Sequence, residues 1–241
     1  MLENSSEAGT TRDIVSVSFH HKGKKILIQD TAGLRRPGKI TKETIESFSV
    51  IRTEQALKNS DIAVLVIDAV EGLVALDANI LGEAKEWGKG IVLAVNKIDE
   101  IKEDKDEYIA KTIWQLQSKL NFAPWLPVVF ISAQNEENIN SLLNQVVAAF
   151  ESRNTVIDEK TLNEITEHLR NKNSQLAGLT RMTQKSVNPP TFELKFKGNR
   201  VPHKTQIRYI ENIIRDVFPM SGTPIFLDLA IKKDERTKIR K

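Results

Sequence analysis

The chain reads IVLAVNKID over residues 91–99, so that a short apolar run ends in the polar turn Asn96-Lys97-Ile98-Asp99. A run of this length without a polar residue is typical of a strand that is buried on both faces, in the middle of a parallel sheet. In such sheets ligands bind just beyond the carboxyl ends of the strands. The sequence therefore predicts that Asn96, Lys97 and Asp99 lie at a binding site.

Two other predicted strands also end in polar turns. Residues 26–29 are followed by Asp30-Thr31-Ala32-Gly33, and residues 128–131 are followed by Ser132-Ala133. An aspartate at a strand end can hold Mg²⁺ through water, and Gly33, which has no Cβ, can bring its backbone N–H close to a terminal phosphate. The order of these turns, each at the end of a strand, favours a nucleotide site.

The turn at residues 96–99 predicts which base that nucleotide carries. The Asp99 carboxylate can accept hydrogen bonds from the N1–H and the exocyclic amine of guanine, which adenine cannot supply. The stem of Lys97 would lie along the base, Asn96 would brace the neighbouring loops, and the backbone of Ser132-Ala133 would meet the guanine oxygen. We therefore expect a guanine nucleotide, GTP or GDP, as the ligand.

The hydrophobic pattern predicts an α/β fold around this site. Apolar alternation at residues 15–19 and 26–28 indicates an antiparallel hairpin. Short apolar strands then alternate with helical stretches, which is typical of a parallel sheet covered by helices on both faces. The predicted strands are 62–67, 91–95 and 128–131, and the predicted helices are about 76–87, 104–120 and 139–150.

A different pattern after residue 150 predicts a second, small α+β domain. Its elements follow the order α-β-β-α-β, with helices expected over 154–172 and about 204–218 and a mixed sheet between them. We expect a first domain over residues 1–152, this second domain over 153–231, and a basic tail over 232–241, which holds six Lys and Arg residues.

Composition and charge narrow the function further. The 241 residues contain no cysteine, which excludes disulfides, thiolate metal sites and cysteine nucleophiles, and the four scattered histidines leave little for a zinc site or a His-based triad. Residues 1–152 carry 17 Lys and Arg against 22 Asp and Glu, whereas residues 153–241 carry 18 against 10, a net charge of +8. The basic half predicts a polyanionic partner such as nucleic acid, and a solvated basic surface without a partner is the alternative. Without a long apolar run or a signal peptide, a cytoplasmic protein with no membrane partner is expected.

Specific motifs are spread along most of the chain. They are Gly9-Thr10-Thr11-Arg12-Asp13, Asp30 to Arg36, Ser49-Val50-Ile51-Arg52, Asp68-Ala69-Val70-Glu71-Gly72, Asn96 to Asp99, Pro189-Pro190-Thr191-Phe192, Arg208 to Asn212 and Gly222-Thr223-Pro224-Ile225. The first five resemble the second GTPase domain of the Der (EngA) family of bacterial ribosome-assembly GTPases, and the last three resemble the C-terminal KH-like domain of that family. The resemblance covers the chain from Gly9 to about Ile231, and it implies a P-loop-GTPase-like sheet followed by the KH-like domain.

The resemblance also assigns roles to residues near the N-terminus. Thr11, with Thr10 beside it, would meet Mg²⁺ and the terminal phosphate, so that Thr11 and Asp30 would be the metal-binding residues. Asp30 to Leu34 would form the second switch, and Leu34 occupies the position where many small GTPases carry a water-orienting glutamine. Because leucine cannot hydrogen-bond water, hydrolysis would depend on other groups, with a monovalent cation such as K⁺ as a family cofactor. No catalytic side chain is assigned.

The sequence departs from the family in one respect, because the 241 residues contain no complete G-x-x-x-x-G-K-[ST] phosphate loop. We therefore expect a G domain that lacks its N-terminal strand, loop and helix, and an isolated chain that binds GTP far more weakly than a complete G domain. Two functions remain open. The first is a GTPase of large-subunit assembly that contacts the large ribosomal subunit and rRNA. The second is a nucleotide-free ribosome- or RNA-binding remnant or fragment that cannot hydrolyse GTP alone.

Overall fold

The computed structural model describes residues 16–29, 57–198 and 202–232. Within these ranges the strands are β1 (Ser16–His21), β2 (Lys24–Gln29), β3 (Ile62–Asp68), β4 (Gly90–Asn96), β5 (Val128–Phe130), β6 (Leu179–Val187), β7 (Pro190–Lys197) and β8 (Phe226–Lys232). The helices are α1 (Ala75–Glu86), α2 (Lys105–Lys119), α3 (Ile139–Arg153), α4 (Glu159–Lys172) and α5 (Lys204–Val217). Short 3₁₀ turns lie at Ile98–Glu100 and Ser174–Leu176. No described helix combines the length and the apolarity needed to cross a membrane.

The first sheet is parallel, in the order β3-β4-β5, with the predicted central strand in the middle. Successive side chains of β4 feed two different cores because they point to opposite faces. Leu93 and Val95 pack in the core formed with α1 and α2, whereas Val92 and Ala94 pack with residues of α3. The expected parallel sheet with helices on both faces is confirmed.

The predicted hairpin is also present. Strands β1 and β2 pair antiparallel and form a two-stranded sheet of their own in the described part of the chain. A hydrogen bond of 2.9 Å between His21 Nε2 and Asn144 Oδ1 joins the end of β1 to α3. Leu27 and Ile28 remain 57% and 48% exposed, so the hairpin contributes little to the core.

The second sheet is mixed, in the order β6-β7-β8, with β6 antiparallel and β8 parallel to the central strand β7. Alternate residues Phe192, Leu194 and Phe196 of β7 are buried in one core with residues of α4 and α5. The element order α-β-β-α-β agrees with the sequence prediction. This arrangement places the odd-numbered residues of β7 on the opposite face of the sheet.

One helix boundary differs from the prediction. The helix expected from residue 154 begins only at Glu159, because the Asp158 side chain accepts a hydrogen bond of 2.9 Å from the backbone N–H of Thr161 and so caps the helix there. Asn154 instead ends α3, where its backbone N–H donates to the carbonyl of Glu151. Residues 154–158 therefore connect two helices.

The parallel sheet and the mixed sheet are connected through the loop at Gly222, which precedes β8. The Ile91 N–H, at the amino end of β4, donates to the Gly222 carbonyl over 2.6 Å, and the Gly222 N–H donates to the Trp125 carbonyl over 3.0 Å. The buried guanidinium of Arg153 donates to the Gly88 carbonyl and to Asn188 Oδ1, which links both parts of the chain. This contact lies at the end of β4 opposite to Asn96. The predicted domain boundary at residue 153 falls within it and stays a prediction.

Candidate nucleotide-binding site

The carboxyl ends of three parallel strands bring several of the predicted site residues together. The register pairs Asp68 at the end of β3 with Asn96 at the end of β4, and Phe130 of β5 with Val95. The polar turns after β4 and β5 therefore leave the sheet at the same edge. The residues of the predicted site that lie here are Asn96, Lys97, Asp99, Ser132 and Ala133. The others, namely Thr10, Thr11, Asp30, Thr31, Ala32, Gly33 and Leu34, lie outside the described residues.

Asn96 connects the ends of all three strands. Its side-chain oxygen Oδ1 accepts a hydrogen bond of 2.9 Å from the Ala133 N–H, which lies after β5. Its backbone carbonyl accepts a hydrogen bond of 2.8 Å from the Ala69 N–H, which lies after β3. This arrangement agrees with a bracing role for Asn96, and it means that the Ala133 N–H already has a protein acceptor.

The loop after β5 is held by its own hydrogen bonds. Ser132 is fully buried, its backbone exchanges two hydrogen bonds with that of Glu137, and its Oγ accepts a hydrogen bond of 3.1 Å from the Asn135 N–H. The Asn138 side chain donates to the Phe130 carbonyl over 2.9 Å at the start of α3. Because these bonds fix the loop without a ligand, Ala133 has a defined position beside Asn96.

Lys97 adopts a left-handed backbone conformation, with φ 68° and ψ 36°. A residue with a Cβ pays roughly 1 kcal/mol for this conformation, so the surrounding structure must impose it. Both flanking peptide groups are fixed: the Asn96 carbonyl accepts from Ala69, and the Ile98 N–H donates to the Ile131 carbonyl over 3.1 Å. The turn thereby directs the Lys97 side chain to one neighbour, Asp68.

Lys97 and Asp68 form an ion pair across the ends of β3 and β4. The distance from Lys97 Nζ to Asp68 Oδ2 is 2.7 Å. The hydrogen bond from Lys97 lowers the pKa of Asp68 below its usual value, and the same bond raises the pKa of Lys97. Both side chains are partly solvated, so the pair adds little to the stability of the fold.

Asp99 has the feature that most directly indicates a ligand. It lies in the Ile98–Glu100 turn, which is anchored by the buried side chain of Ile98. The oxygen Oδ1 of Asp99 is buried and accepts no hydrogen bond from any residue that the structure describes. A buried acceptor without a donor is costly, and such groups in native proteins commonly have a functional explanation. The two adjacent donors of guanine, N1–H and the exocyclic amine, match the two oxygens of the carboxylate and would give Oδ1 the donor that it lacks.

The described residues leave the magnesium prediction open. Residues 16–29, 57–198 and 202–232 contain no group of three or more His, Asp and Glu side chains that could hold a metal ion. The two predicted ligands, Thr11 and Asp30, lie outside those ranges. Mg²⁺ and K⁺ therefore remain predictions from family resemblance.

The sequence prediction of the site misses two residues. Asp68 enters it only as part of a family motif, although Asp68 ends a strand beside Asn96 and the parallel order of β3 and β4 could have indicated their proximity. Tyr108 of α2 is buried, and its hydroxyl donates to the Ala69 carbonyl over 2.6 Å. It holds the turn after β3 in place, and no periodicity in the sequence distinguishes it from a core aromatic residue.

Comparison with protein families places two matches along the chain. Residues 1–152 match the Elongation factor Tu GTP binding domain, and residues 139–229 match the KH-domain-like of EngA bacterial GTPase enzymes, C-terminal. These matches confirm the expected fold class, a P-loop-GTPase-like parallel sheet followed by a KH-like α+β domain.

Individual proteins that are similar in sequence to this chain are longer than it is. A GTPase Der from Lachnoclostridium phytofermentans is 38% identical over 237 residues, and one from Lachnospira eligens is 40% identical over 235 residues. Each alignment covers 95% of this chain and 53% of the relative, so the chain spans about half the length of the curated relatives it matches. Among solved structures, Era in complex with MgGDPNP and nucleotides 1506–1542 of 16S ribosomal RNA is 21% identical, with a TM-score of 0.46, and the match covers 98% of this chain and 86% of that one.

Proposed function

We propose that this chain recognises guanine nucleotide at the ends of β4 and β5. The chain belongs to the family of Elongation factor Tu GTP-binding domains and is a homologue of the Der (EngA) GTPases. The observation that carries the proposal is the buried Asp99 Oδ1, which accepts no hydrogen bond within the described part of the chain. GTP hydrolysis and a role in assembly of the large ribosomal subunit are the wider parts of the same proposal.

Base recognition follows from hydrogen-bond complementarity. The Asp99 carboxylate accepts from guanine N1–H and from the exocyclic amine at C2. Adenine has an unprotonated N1 and no amine at C2, so it would leave the carboxylate buried without a donor. Asn96 contributes by holding the Ala133 loop at a fixed distance from the Asp99 turn. Lys97 contributes a side-chain stem beside the base.

The phosphate end of the nucleotide is assigned by family resemblance alone. In this proposal Thr10, Thr11 and the segment Asp30 to Leu34 meet the phosphates, and Thr11 and Asp30 hold Mg²⁺. The metal, with K⁺ as a further cation, would neutralise phosphate charge when bound. The described residues of this chain would supply the base contacts.

A titration with two nucleotides that differ in the base tests the proposal. We expect saturation-transfer difference NMR at millimolar nucleotide to give signals for the base protons of GDP and much weaker signals for those of ADP. Excess guanosine should remove the GDP signal, whereas excess adenosine should not. A hydrogen-bonded charged group discriminates by about 1.5–3 kcal/mol, so a preference of about tenfold or more is expected. Equal signals from GDP and ADP would contradict guanine recognition.

The charge distribution supports a second function, docking on RNA, with or without nucleotide. Residues 153–241 carry a net charge of +8. The register sets Arg181 of β6 directly opposite Lys195 of β7, and Lys197 follows on the same face of the sheet. All three side chains are exposed. Arg181 pairs with Glu159 at 2.5 Å, whereas the Lys195 Nζ is 3.9 Å from Glu193 and Lys197 forms no ion pair with any residue that the structure describes. Lys197 is therefore available to a phosphate group, and Lys195 has only a long ion pair to exchange for one.

Binding to RNA that depends on phosphate contacts has a measurable salt signature. We expect this chain to bind the large ribosomal subunit, or rRNA taken from it, with an affinity that falls steeply as the salt concentration rises. The double variant Lys195→Gln with Lys197→Gln should lower the affinity at low salt and reduce the slope of log K against log salt by about 1 to 2. Lys160→Gln, which changes an exposed lysine on α4, is the control. No binding at low salt would remove this function.

A further inference from the structure

The two carboxylate oxygens of Asp68 have different partners. Oδ1 accepts hydrogen bonds from the backbone N–H groups of Val70, at 2.7 Å, and Glu71, at 3.4 Å, and so shapes the turn after β3. Oδ2 forms an ion pair with Lys97 Nζ at 2.7 Å. The first oxygen therefore serves the local fold, whereas the second serves a side chain on the neighbouring strand end.

The backbone around this pair is fixed independently of it. The Tyr108 hydroxyl holds the Ala69 carbonyl, and the Ala69 N–H holds the Asn96 carbonyl. These bonds join the ends of β3 and β4 even when the ion pair is broken. The Asp68–Lys97 contact is thus not needed to bring the strands together, and what it does fix is the direction of the Lys97 side chain.

Lys97 lies two residues before Asp99 in the same short turn. A lysine side chain on a surface samples many rotamers, and it loses that freedom when a ligand packs against its stem. A partner that holds the ammonium group beforehand removes part of this cost from the binding step. The free ammonium would otherwise be able to turn into solvent, because the Lys97 side chain is 49% exposed.

We propose that Asp68 is a positioning residue for guanine-nucleotide binding: by holding the Lys97 ammonium group, it keeps the Lys97 stem extended as a surface against which the base rests while Asp99 accepts its hydrogen bonds. This inference rests on the proposed function. Asp68 does not touch the nucleotide, and its effect on affinity passes entirely through Lys97.

A double-mutant cycle isolates this effect from a merely structural one. The variants are Asp68→Asn, which removes the charge but retains a side-chain oxygen for the turn, Lys97→Met, which retains the length of the stem, and the combination of both. GDP affinity is measured for each by protein-observed ¹⁵N NMR titration. The same spectra, recorded without GDP, report whether each variant is folded. Glu159→Gln is the matched control, because it removes an acidic partner from the exposed ion pair with Arg181 on α4 and β6.

We expect Asp68→Asn to weaken GDP binding by about three- to tenfold. In the Lys97→Met background the same change should have no further effect, and Glu159→Gln should leave the affinity unchanged. The positioning role is overturned if Asp68→Asn binds GDP as tightly as the parent does. It is also overturned if the fold-loss of GDP affinity in the double variant equals the product of the fold-losses in the two single variants. Absence of GDP binding by the parent chain would instead overturn the proposed function, and this inference with it.

Discussion

Replacing Asp99 with asparagine is expected to abolish the preference for guanine and to create a preference for xanthine. The introduced amide would present one acceptor and one donor in place of two acceptors, so the exocyclic amine of guanine would meet another donor. Xanthine carries a carbonyl oxygen where guanine carries that amine, and its N1–H remains. In the variant, the asparagine amide nitrogen would donate to this carbonyl oxygen, and the asparagine oxygen would accept from N1–H, so xanthine restores both hydrogen bonds.

The expected size of this change makes it the most sensitive test of base recognition. Leaving a buried donor or acceptor unpaired costs about 1–3 kcal/mol, and more when a charge is involved, so GDP affinity should fall by about 10- to 100-fold. Titration of the parent and the variant with GDP and with xanthosine diphosphate measures the loss of affinity for the first nucleotide and the gain of affinity for the second. Glu100→Gln is the control, since Glu100 is an exposed acidic residue of the same turn. An Asp99→Asn variant that still prefers GDP would show that Asp99 does not contact the base.

Replacing Gly222 with alanine is expected to lower the free energy of unfolding substantially. Gly222 has φ +67°, and a Cβ built there would lie 2.7 Å from Ala149 Cβ and 2.9 Å from the Ile91 carbonyl oxygen. Ala149 and Ile91 belong to α3 and β4, whose backbones cannot move apart without opening the core that Val92 and Ala94 form with α3. Left-handed strain of about 1 kcal/mol and overpacking of about 1–3 kcal/mol together predict a fall of ~3 kcal/mol in the free energy of unfolding.

Gly72 provides the matched control for this prediction. It has φ +70°, and the structure places nothing it describes within 4 Å of a Cβ built there. Gly72→Ala should therefore cost only the backbone strain, about 1 kcal/mol. Urea denaturation of the two variants and the parent gives the comparison. Equal losses for Gly72→Ala and Gly222→Ala would mean that the Gly222 loop is not packed against β4 and α3.

Most of the fold can be predicted from the sequence because each element carries a local signal. The apolar run at residues 91–95 predicts the central strand, and the alternation at residues 15–19 and 26–28 predicts the hairpin. The start of α4 cannot be placed in the same way, because residues 154–157 are compatible with a helix until Asp158 caps the next one. The contact at Gly222 depends on residues that are more than 70 positions apart in the chain, Ala149 and Thr223, and no local pattern encodes it.

The candidate site is predictable as a set of positions but not as a set of interactions. Asn96, Lys97 and Asp99 follow a recognisable strand, and guanine chemistry explains why those side chains are useful there. The pairing of Lys97 with Asp68 requires the left-handed backbone at Lys97, which is imposed by hydrogen bonds from two other strand ends. The burial of Asp99 Oδ1 is likewise a property of the folded turn, and the local sequence does not encode it.

The most direct measurement is the position of the bound nucleotide on the chain. In a ¹H–¹⁵N titration with GDP, we expect the largest shift changes at the amides of residues 96–99 and of Ser132 and Ala133, with ADP producing little change there at the same concentration. Unchanged amides at these positions, or GDP-dependent shifts confined to the second sheet, for example along β6, would contradict the account that the ends of β4 and β5 form a guanine-binding site.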